Sequence, residues 1–241
     1  MPTLTEQEIT LAASAGPMRV FVCEPGDDGP SPAAVMLMDG PGYREELKDA
    51  ARRLAGEGYR VVLPDLYHRF GGVSFDVVKL VAGDAEELER MVAVAGSLTD
   101  AMAVEDTSRC LEFLGDDRVV LVGFCQGARF AIRAIEALGD RIAAASLIHP
   151  SFIVTEDASS PHLALGGTAC PLYFGFGGAD TLTDPDVVPQ AVEAHLATTS
   201  VPYEIDVLEG GEHGFMVAGP TFHPHAAERA WQGTLRAFGR Q

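Results

Sequence analysis

The sequence predicts an α/β protein with a mostly parallel central sheet flanked by helices. The alternation of strand-like and helix-like segments supports this class. From about residue 33 to the end, short apolar runs alternate with longer segments whose apolar residues recur at helical spacing. Strands separated by helices form βαβ units, which build parallel sheets. No internal repeat or linker-like tract interrupts this alternation, so we expect one domain over residues 1–241.

The strands are predicted from apolar runs that are bounded by turn residues. Residues 33–38 are the first such run, between Pro32 and the turn sequence that begins at Gly40. Later runs predict strands at residues 60–63, 119–124, 142–148, 172–176 and 203–208. Near the N-terminus, residues 8–12 and 18–22 alternate with small or polar residues, which predicts an antiparallel hairpin at the edge of the sheet.

The helices are predicted from apolar spacing and from stop signals. In residues 45–57 the apolar side chains share one helical face, and Gly58 follows as a stop. Similar segments predict helices at residues 85–114, 128–138, 187–199 and 225–238. The longest of them is expected to break near Gly96. A polar, glycine-containing stretch at residues 67–74 is predicted to be a loop.

Composition and charge restrict the class of partner. The chain is 47% hydrophobic and 22% charged, so it can bury a sizeable core. Its formal net charge of -18 argues against nucleic acid, because a polyanion would be repelled. The expected partner is therefore a small-molecule substrate, and the oligomeric state is not predicted.

The expected compartment is the cytoplasm. The N-terminal segment carries Glu6 and Glu8 and lacks the basic region and apolar run of a targeting signal. No apolar run is long enough to span a membrane. The cysteines form no C-x-x-C pair, so we expect free thiols at Cys23, Cys110, Cys125 and Cys170.

A junction between a strand and a helix carries the main chemical signal. The predicted strand at 119–124 runs directly into the sequence Gly123-Phe124-Cys125-Gln126-Gly127, and a helix follows. A nucleophile on such a turn has a strained backbone, and small neighbours avoid clashes around it. The N-terminus of the helix favours a thiolate and a developing oxyanion. Cys125 is therefore the candidate nucleophile, and a structural cysteine at a glycine-rich turn is the alternative.

Two later loops supply partners for Cys125. Asp180 follows the predicted strand at 172–176, and His213 follows the strand at 203–208. The chain order of nucleophile, acid and histidine is the order expected for the α/β-hydrolase fold. His213 would act as the general base towards Cys125, and Asp180 would fix the tautomer of His213. The nearby alternatives are Asp184, Asp186, His223 and His225.

An oxyanion hole needs two backbone N–H groups. One is expected from Gln126, the residue after the nucleophile, and the other from Gly40, after the first central strand. No phosphate-cradling loop or nucleotide motif is present. His223 and His225 have no obvious further ligand, so the sequence predicts neither a metal nor a cofactor.

These motifs resemble those of the dienelactone hydrolase family of α/β hydrolases. The cysteine elbow is the specific part, because most relatives in the fold carry serine there. The sequences Pro64-Asp65-Leu66-Tyr67 and Gly211-Glu212-His213-Gly214-Phe215 resemble other family marks, and the resemblance covers about residues 33–238. It implies a triad of Cys125, Asp180 and His213. It also implies an acidic residue beside the thiol that accepts the thiol proton, and Asp39 occupies that position.

Two departures from the family leave the substrate open. Asp39 stands where the founding enzymes have glutamate. Those enzymes also grip a substrate carboxylate with an arginine after the position of Phe215, where this chain continues Met216-Val217-Ala218. Arg69 is a candidate substitute anchor. The other residues predicted to line the pocket are Tyr43, His68, His149 and Phe215, with His149 beginning the sequence His149-Pro150-Ser151.

The sequence therefore predicts a cofactor-free cysteine hydrolase that cleaves a small ester or lactone through an acyl-enzyme. Two alternatives use the same scaffold. One is a non-catalytic ligand-binding or thiol-sensing protein. The other is an acyltransferase that passes the acyl group to an acceptor other than water.

Overall fold

The computed structural model describes residues 3–26 and 29–239, which contain eight strands and seven α-helices. The strands are β1 (Leu4–Ala13), β2 (Gly16–Pro25), β3 (Ala33–Leu37), β4 (Arg60–Pro64), β5 (Val119–Phe124), β6 (Ile142–Ile148), β7 (Leu172–Gly177) and β8 (Tyr203–Leu208). The helices are α1 (Glu45–Gly56), α2 (Val77–Val81), α3 (Ala85–Ser97), α4 (Asp100–Leu114), α5 (Gln126–Leu138), α6 (Val188–Leu196) and α7 (Pro224–Ala237). None of the helices in these ranges is long and apolar enough to cross a membrane.

All eight strands join one sheet in the order β1-β2-β4-β3-β5-β6-β7-β8. The pairs β1–β2 and β2–β4 are antiparallel. Every pair from β4 to β8 is parallel. The predicted fold class, a mostly parallel sheet with an antiparallel hairpin at its N-terminal edge, is therefore confirmed.

Helices cover both faces of the sheet. Right-handed crossovers from β3 to β4 and from β4 to β5 run in opposite directions across the sheet, which places α1 and α4 on opposite faces. α7 lies with α1, since the guanidinium of Arg53 is 4.9 Å from the centre of the Trp231 ring. α5 lies with α4, since Arg133 pairs with Asp100 at 3.2 Å. Every residue of β3, β5 and β7 is consequently buried.

The predicted break of the helical segment at 85–114 lies near Gly96, but not at the glycine itself. Gly96 lies within α3, and the break comes at Leu98 and Thr99. The Thr99 hydroxyl accepts a hydrogen bond from the N–H of Met102 at 3.3 Å and so caps α4. The cap therefore decides the boundary, because a glycine in a helix costs only about 1 kcal/mol.

Two further differences concern short or edge elements. α2, which the apolar pattern did not predict, begins where the carboxylate of Asp76 accepts the N–H of Val78 at 2.9 Å. The edge hairpin is longer than residues 8–12 and 18–22, because β1 and β2 pair without interruption from Leu4 opposite Pro25 to Ala13 opposite Gly16.

Candidate active site

Cys125 lies at the sharp turn between β5 and α5. Its backbone angles are φ 55° and ψ -119°, which are strained for a residue other than glycine. The flanking glycines permit the close approach that this turn requires. A Cβ on Gly123 would lie 2.4 Å from the carbonyl oxygen of Gly127, and one on Gly127 would lie 2.4 Å from that of Leu37. The elbow therefore holds the thiol at the carboxyl edge of the parallel strands.

The loops after β7 and β8 bring Asp180 and His213 to the same edge. The Nδ1 atom of His213 lies 2.7 Å from Oδ2 of Asp180. The other oxygen of Asp180 accepts the backbone N–H groups of Leu182 and Thr183 at 2.8 and 2.9 Å. Asp180 is buried and doubly anchored, so it can fix the ring orientation of His213 and leave Nε2 free to face Cys125.

Two of the alternative residues, Asp184 and His223, have local structural roles. Asp184 is exposed, and its carboxylate accepts the N–H of Asp186 at 2.9 Å. His223 caps α7 by accepting the N–H of Ala226 at 3.2 Å. Within the described part of the chain, no group of three or more His, Cys, Asp or Glu side chains could hold a metal ion.

Ser151 lies between Cys125 and His213, and the sequence analysis did not assign it a role. Its hydroxyl oxygen is 3.4 Å from Sγ of Cys125 and 3.4 Å from Nε2 of His213. Its backbone N–H donates to the carbonyl oxygen of Cys125 at 3.2 Å, which fixes the serine against the elbow. The sequence offered one signal, because Ser151 follows β6 at the edge where the other candidates meet.

The charges of Cys125 and His213 stabilise each other. Burial raises the pKa of the Cys125 thiol, but the positive charge of His213 and hydrogen bonds from His213 and Ser151 outweigh burial, so the pKa is lowered. Burial lowers the pKa of His213, but the thiolate and the hydrogen bond to Asp180 outweigh it and raise this pKa to about 10. The site therefore favours a thiolate–imidazolium pair.

Asp39 faces Arg44 and not the thiol. Both terminal nitrogens of Arg44 donate to the two carboxylate oxygens of Asp39, with Nη2 at 2.8 Å. The negative charge of Asp39 raises the pKa of the Cys125 thiol. The expectation that Asp39 accepts the thiol proton is therefore corrected, because an arginine five residues later in the chain occupies its carboxylate.

A chain of hydrogen bonds joins the two residues that were predicted to form the oxyanion hole. The side-chain amide of Gln126 donates to the Tyr67 hydroxyl at 2.7 Å, and that hydroxyl donates to the carbonyl oxygen of Gly40 at 2.9 Å. Gln126 is the first residue of α5, where backbone N–H groups lack a carbonyl partner within the helix. This arrangement fixes the loop at Gly40 relative to the N-terminus of α5.

A cavity of about 380 Å³ opens onto Cys125 and His213, and Gly40 lines it. This volume is near the lower end of the range for small-molecule sites. Its charged wall includes Asp39, Arg44 and Glu212. Its apolar wall is formed by α2, α3 and the loops after β7 and β8, through Val77, Leu80, Val81, Met91, Leu182 and Val217.

His149 lines the cavity, as the sequence predicted. Its side chain is fully buried, and neither ring nitrogen has a hydrogen-bond partner among the described residues. Its ring lies 5.0 Å from that of His213 and 5.6 Å from that of Phe215. Phe215 is fully buried and its ring packs against that of His149. It is therefore a packing residue and not part of the cavity wall.

Three predicted pocket residues lie elsewhere. His68 and Arg69 both contact the buried carboxylate of Asp106 on α4, to which Arg69 donates at 2.6 and 3.1 Å. Arg69 therefore anchors its loop and is not a substrate anchor. The Tyr43 hydroxyl donates to Glu8 of β1 at 2.8 Å. None of the three lines the cavity beside Cys125.

The sheet order and the elbow between β5 and α5 define the α/β-hydrolase fold. The chain belongs to the dienelactone hydrolase family, whose sequence model matches residues 18–241. This agrees with the resemblance that the cysteine elbow and the histidine loop suggested.

Similar proteins include solved structures and one curated sequence. A Klebsiella pneumoniae protein assigned as a dienelactone hydrolase has a TM-score of 0.82 at 21% identity, over 99% of this chain and 100% of that chain. A dienelactone hydrolase-like promiscuous phosphotriesterase from metagenomic libraries has a TM-score of 0.76 at 20% identity, over 98% of both chains. At these identities the similarity establishes the fold alone.

The curated sequence is hydrolase pyvD of Aspergillus violaceofuscus. It is 28% identical over 145 residues, which are 59% of this chain and 55% of pyvD. The match therefore spans about half the length of that relative.

Proposed function

We propose that this protein is a cysteine hydrolase that cleaves a small ester or lactone through an acyl-enzyme on Cys125. The observation that carries the proposal is the continuous polar series from Asp180 through His213 and Ser151 to a lowered-pKa thiol on a strained elbow. These groups face a cavity of a size suited to a small substrate.

The steps follow from this geometry. The Cys125 thiolate attacks the carbonyl carbon, and the carbonyl oxygen gains the negative charge. The backbone N–H groups of Gln126 and Gly40 stabilise that oxyanion. The imidazolium of His213 then gives its proton to the leaving alkoxide as the carbon–oxygen bond breaks. His213 then takes a proton from a water molecule, which attacks the thioester, releases the acid and restores the thiolate–imidazolium pair.

The acyl-enzyme is the direct test of this proposal. We expect incubation with para-nitrophenyl acetate to add one acetyl group to the protein, detected by intact mass and located on Cys125 by peptide mapping. Burial raises the pKa of the thiols of Cys110 and Cys170, so these cysteines should stay unmodified.

The control is a matched pair of variants. Cys125→Ala should lose the adduct and ester turnover, whereas Cys170→Ala should keep both. If the wild-type protein forms no adduct and releases no para-nitrophenol, the protein is the non-catalytic ligand-binding or thiol-sensing alternative. If it releases para-nitrophenol only when an alcohol or amine acceptor is present, and the acyl group is recovered as the new ester or amide, the protein is the acyltransferase.

Ser151→Ala is expected to lower kcat/KM by about tenfold and to move the acid limb of the pH profile to higher pH. The Ser151 hydroxyl can donate to the thiolate, and such a charge-assisted bond stabilises the charged form of Cys125. Removing it raises the thiol pKa, so a higher pH is needed to form the nucleophile. The measurement is kcat/KM for a para-nitrophenyl ester as a function of pH.

Ser146→Ala is the control for this variant. Ser146 is also buried and lies on β6, but its hydroxyl pairs with that of Thr234 at 2.7 Å, away from the site. Its loss should leave the acid limb in place. An acid limb at the wild-type pH in Ser151→Ala would show that the serine does not stabilise the thiolate.

A further inference from the structure

We infer that this active site selects esters whose acyl group is uncharged and apolar, and that Glu212 repels acyl groups that carry a carboxylate. The inference rests on the proposed function and specifies its substrate class. It follows from four features of the cavity: its apolar wall, the neutralised cation, an unpaired carboxylate and a neutral imidazole.

The apolar wall sets the chemical character of the acyl group. Leu80 and Val81 of α2, Met91 of α3 and Val217 after β8 line the cavity. Val81 is 51% exposed and Leu182 is 56% exposed. A bound hydrocarbon chain would cover this apolar surface and remove it from water, which contributes about 25 cal/mol per Å². The wall therefore favours an alkyl or similar chain.

The guanidinium of Arg44 is already paired with a carboxylate. Arg44 is the one lysine or arginine among the described residues that line it. Besides its two bonds to Asp39, Arg44 donates to the carbonyl oxygen of Gly42 at 3.0 Å, and its Nε lies 3.6 Å from a carboxylate oxygen of Glu46. A substrate carboxylate would compete with Asp39 for this guanidinium, and displacing Asp39 would leave its carboxylate buried without its partner.

Glu212 adds a negative charge that is not balanced. Glu212 is an exposed residue at the wall of the cavity, and it forms no ion pair with any of the described lysines, arginines or histidines. It directly precedes His213 in the loop after β8. With Asp39 and Arg44 paired, Glu212 leaves the cavity with an excess of negative charge. An anionic acyl group would be repelled, and the formal net charge of -18 acts in the same direction.

His149 supplies polarity without charge. Its two ring nitrogens have no partner among the described residues, and burial lowers its pKa well below the ordinary value for histidine. The neutral ring can donate one hydrogen bond and accept another. It therefore suits an ester oxygen or a hydroxyl group and offers no cation to a carboxylate.

The test compares two esters of the same length. The neutral substrate is para-nitrophenyl methyl adipate, and the anionic one is mono-para-nitrophenyl adipate, which has a free carboxylate in place of the methyl ester. We expect kcat/KM for the neutral ester to exceed that for the anionic ester by at least about tenfold at low ionic strength. Glu212→Gln should reduce this ratio about fivefold.

Glu209→Gln is the matched control. It removes the same charge from the same loop, but Glu209 does not line the cavity beside Cys125, so the ratio should stay at the wild-type value. Equal rates for the two esters, a preference for the anionic ester, or an unchanged ratio in Glu212→Gln would each overturn the inference. Failure of the proposed function is a different result, namely no turnover of either ester by the wild-type protein.

Discussion

His213→Ala is expected to lower kcat for para-nitrophenyl esters by about a thousandfold. The variant loses the group that gives a proton to the leaving alkoxide and later activates water, and this kind of catalysis contributes about 10² to 10⁴. It also loses the positive charge that holds the Cys125 pKa down. The thiol pKa should therefore rise, and the rate of Cys125 alkylation at neutral pH should fall.

A second consequence concerns the wild-type pH profile. The reactive form needs the thiolate and the imidazolium together, so activity should rise as the thiol ionises and fall as the His213 proton is lost. Since the pKa of His213 is raised to about 10, the alkaline limb should lie near that pH. In His213→Ala this limb should be absent.

His223→Ala is the control for the histidine replacement. His223 caps α7, so its loss should cost about 1 kcal/mol of stability and leave kcat unchanged. Wild-type kcat in His213→Ala would exclude His213 as the general base. A loss of the same size in both variants would mean that the effect comes from folding, which circular dichroism would show.

Gly127→Ala is expected to lower the free energy of unfolding by about 3 kcal/mol and to lower kcat at least tenfold. The new Cβ would lie 2.4 and 2.6 Å from the carbonyl oxygens of Leu37 and Met38. These are backbone atoms of the central strand β3 and the residue after it, so the clash cannot be relieved by turning a side chain. The N-terminus of α5 would have to move away from β3, which would displace the Gln126 N–H from the oxyanion.

Urea unfolding monitored by circular dichroism measures the first effect, and ester turnover measures the second. Gly56→Ala is the matched control, because a Cβ there meets nothing within 4 Å. It ends α1, where alanine should be neutral or stabilise the protein by up to about 1 kcal/mol. Wild-type stability in Gly127→Ala would show that the elbow tolerates a wider separation from β3.

The sequence predicted the features that depend on local pattern. The apolar runs at β3, β5 and β7 are fully buried strands, as their lack of alternation indicated. The order of Cys125, Asp180 and His213 placed each residue after a different strand. Since parallel strands end at one edge of the sheet, this order was enough to predict that the three side chains meet.

The contacts between distant segments could not be predicted in this way. Arg69 looked available as an anion anchor, but Asp106 lies on a helix 37 residues later and holds it. Tyr43 was predicted to line the pocket, but its hydroxyl donates to Glu8, 35 residues earlier in the chain. Polar and charged side chains such as these carry no periodic signal. Their partners are therefore set only when the helices and strands pack together.

By itself the sequence determined the fold class, the elbow at Cys125 and the strand ends that carry its partners, because backbone propensity and apolar periodicity act over neighbouring residues. The tertiary structure alone decided that Ser151 bridges the thiol and His213, and that Arg44 pairs with the Asp39 carboxylate. It also decided that Glu212 lies at the cavity without an ion pair to any described residue. The physical reason is that hydrogen bonds and ion pairs act over a few ångströms in space, whatever the separation of their residues along the chain.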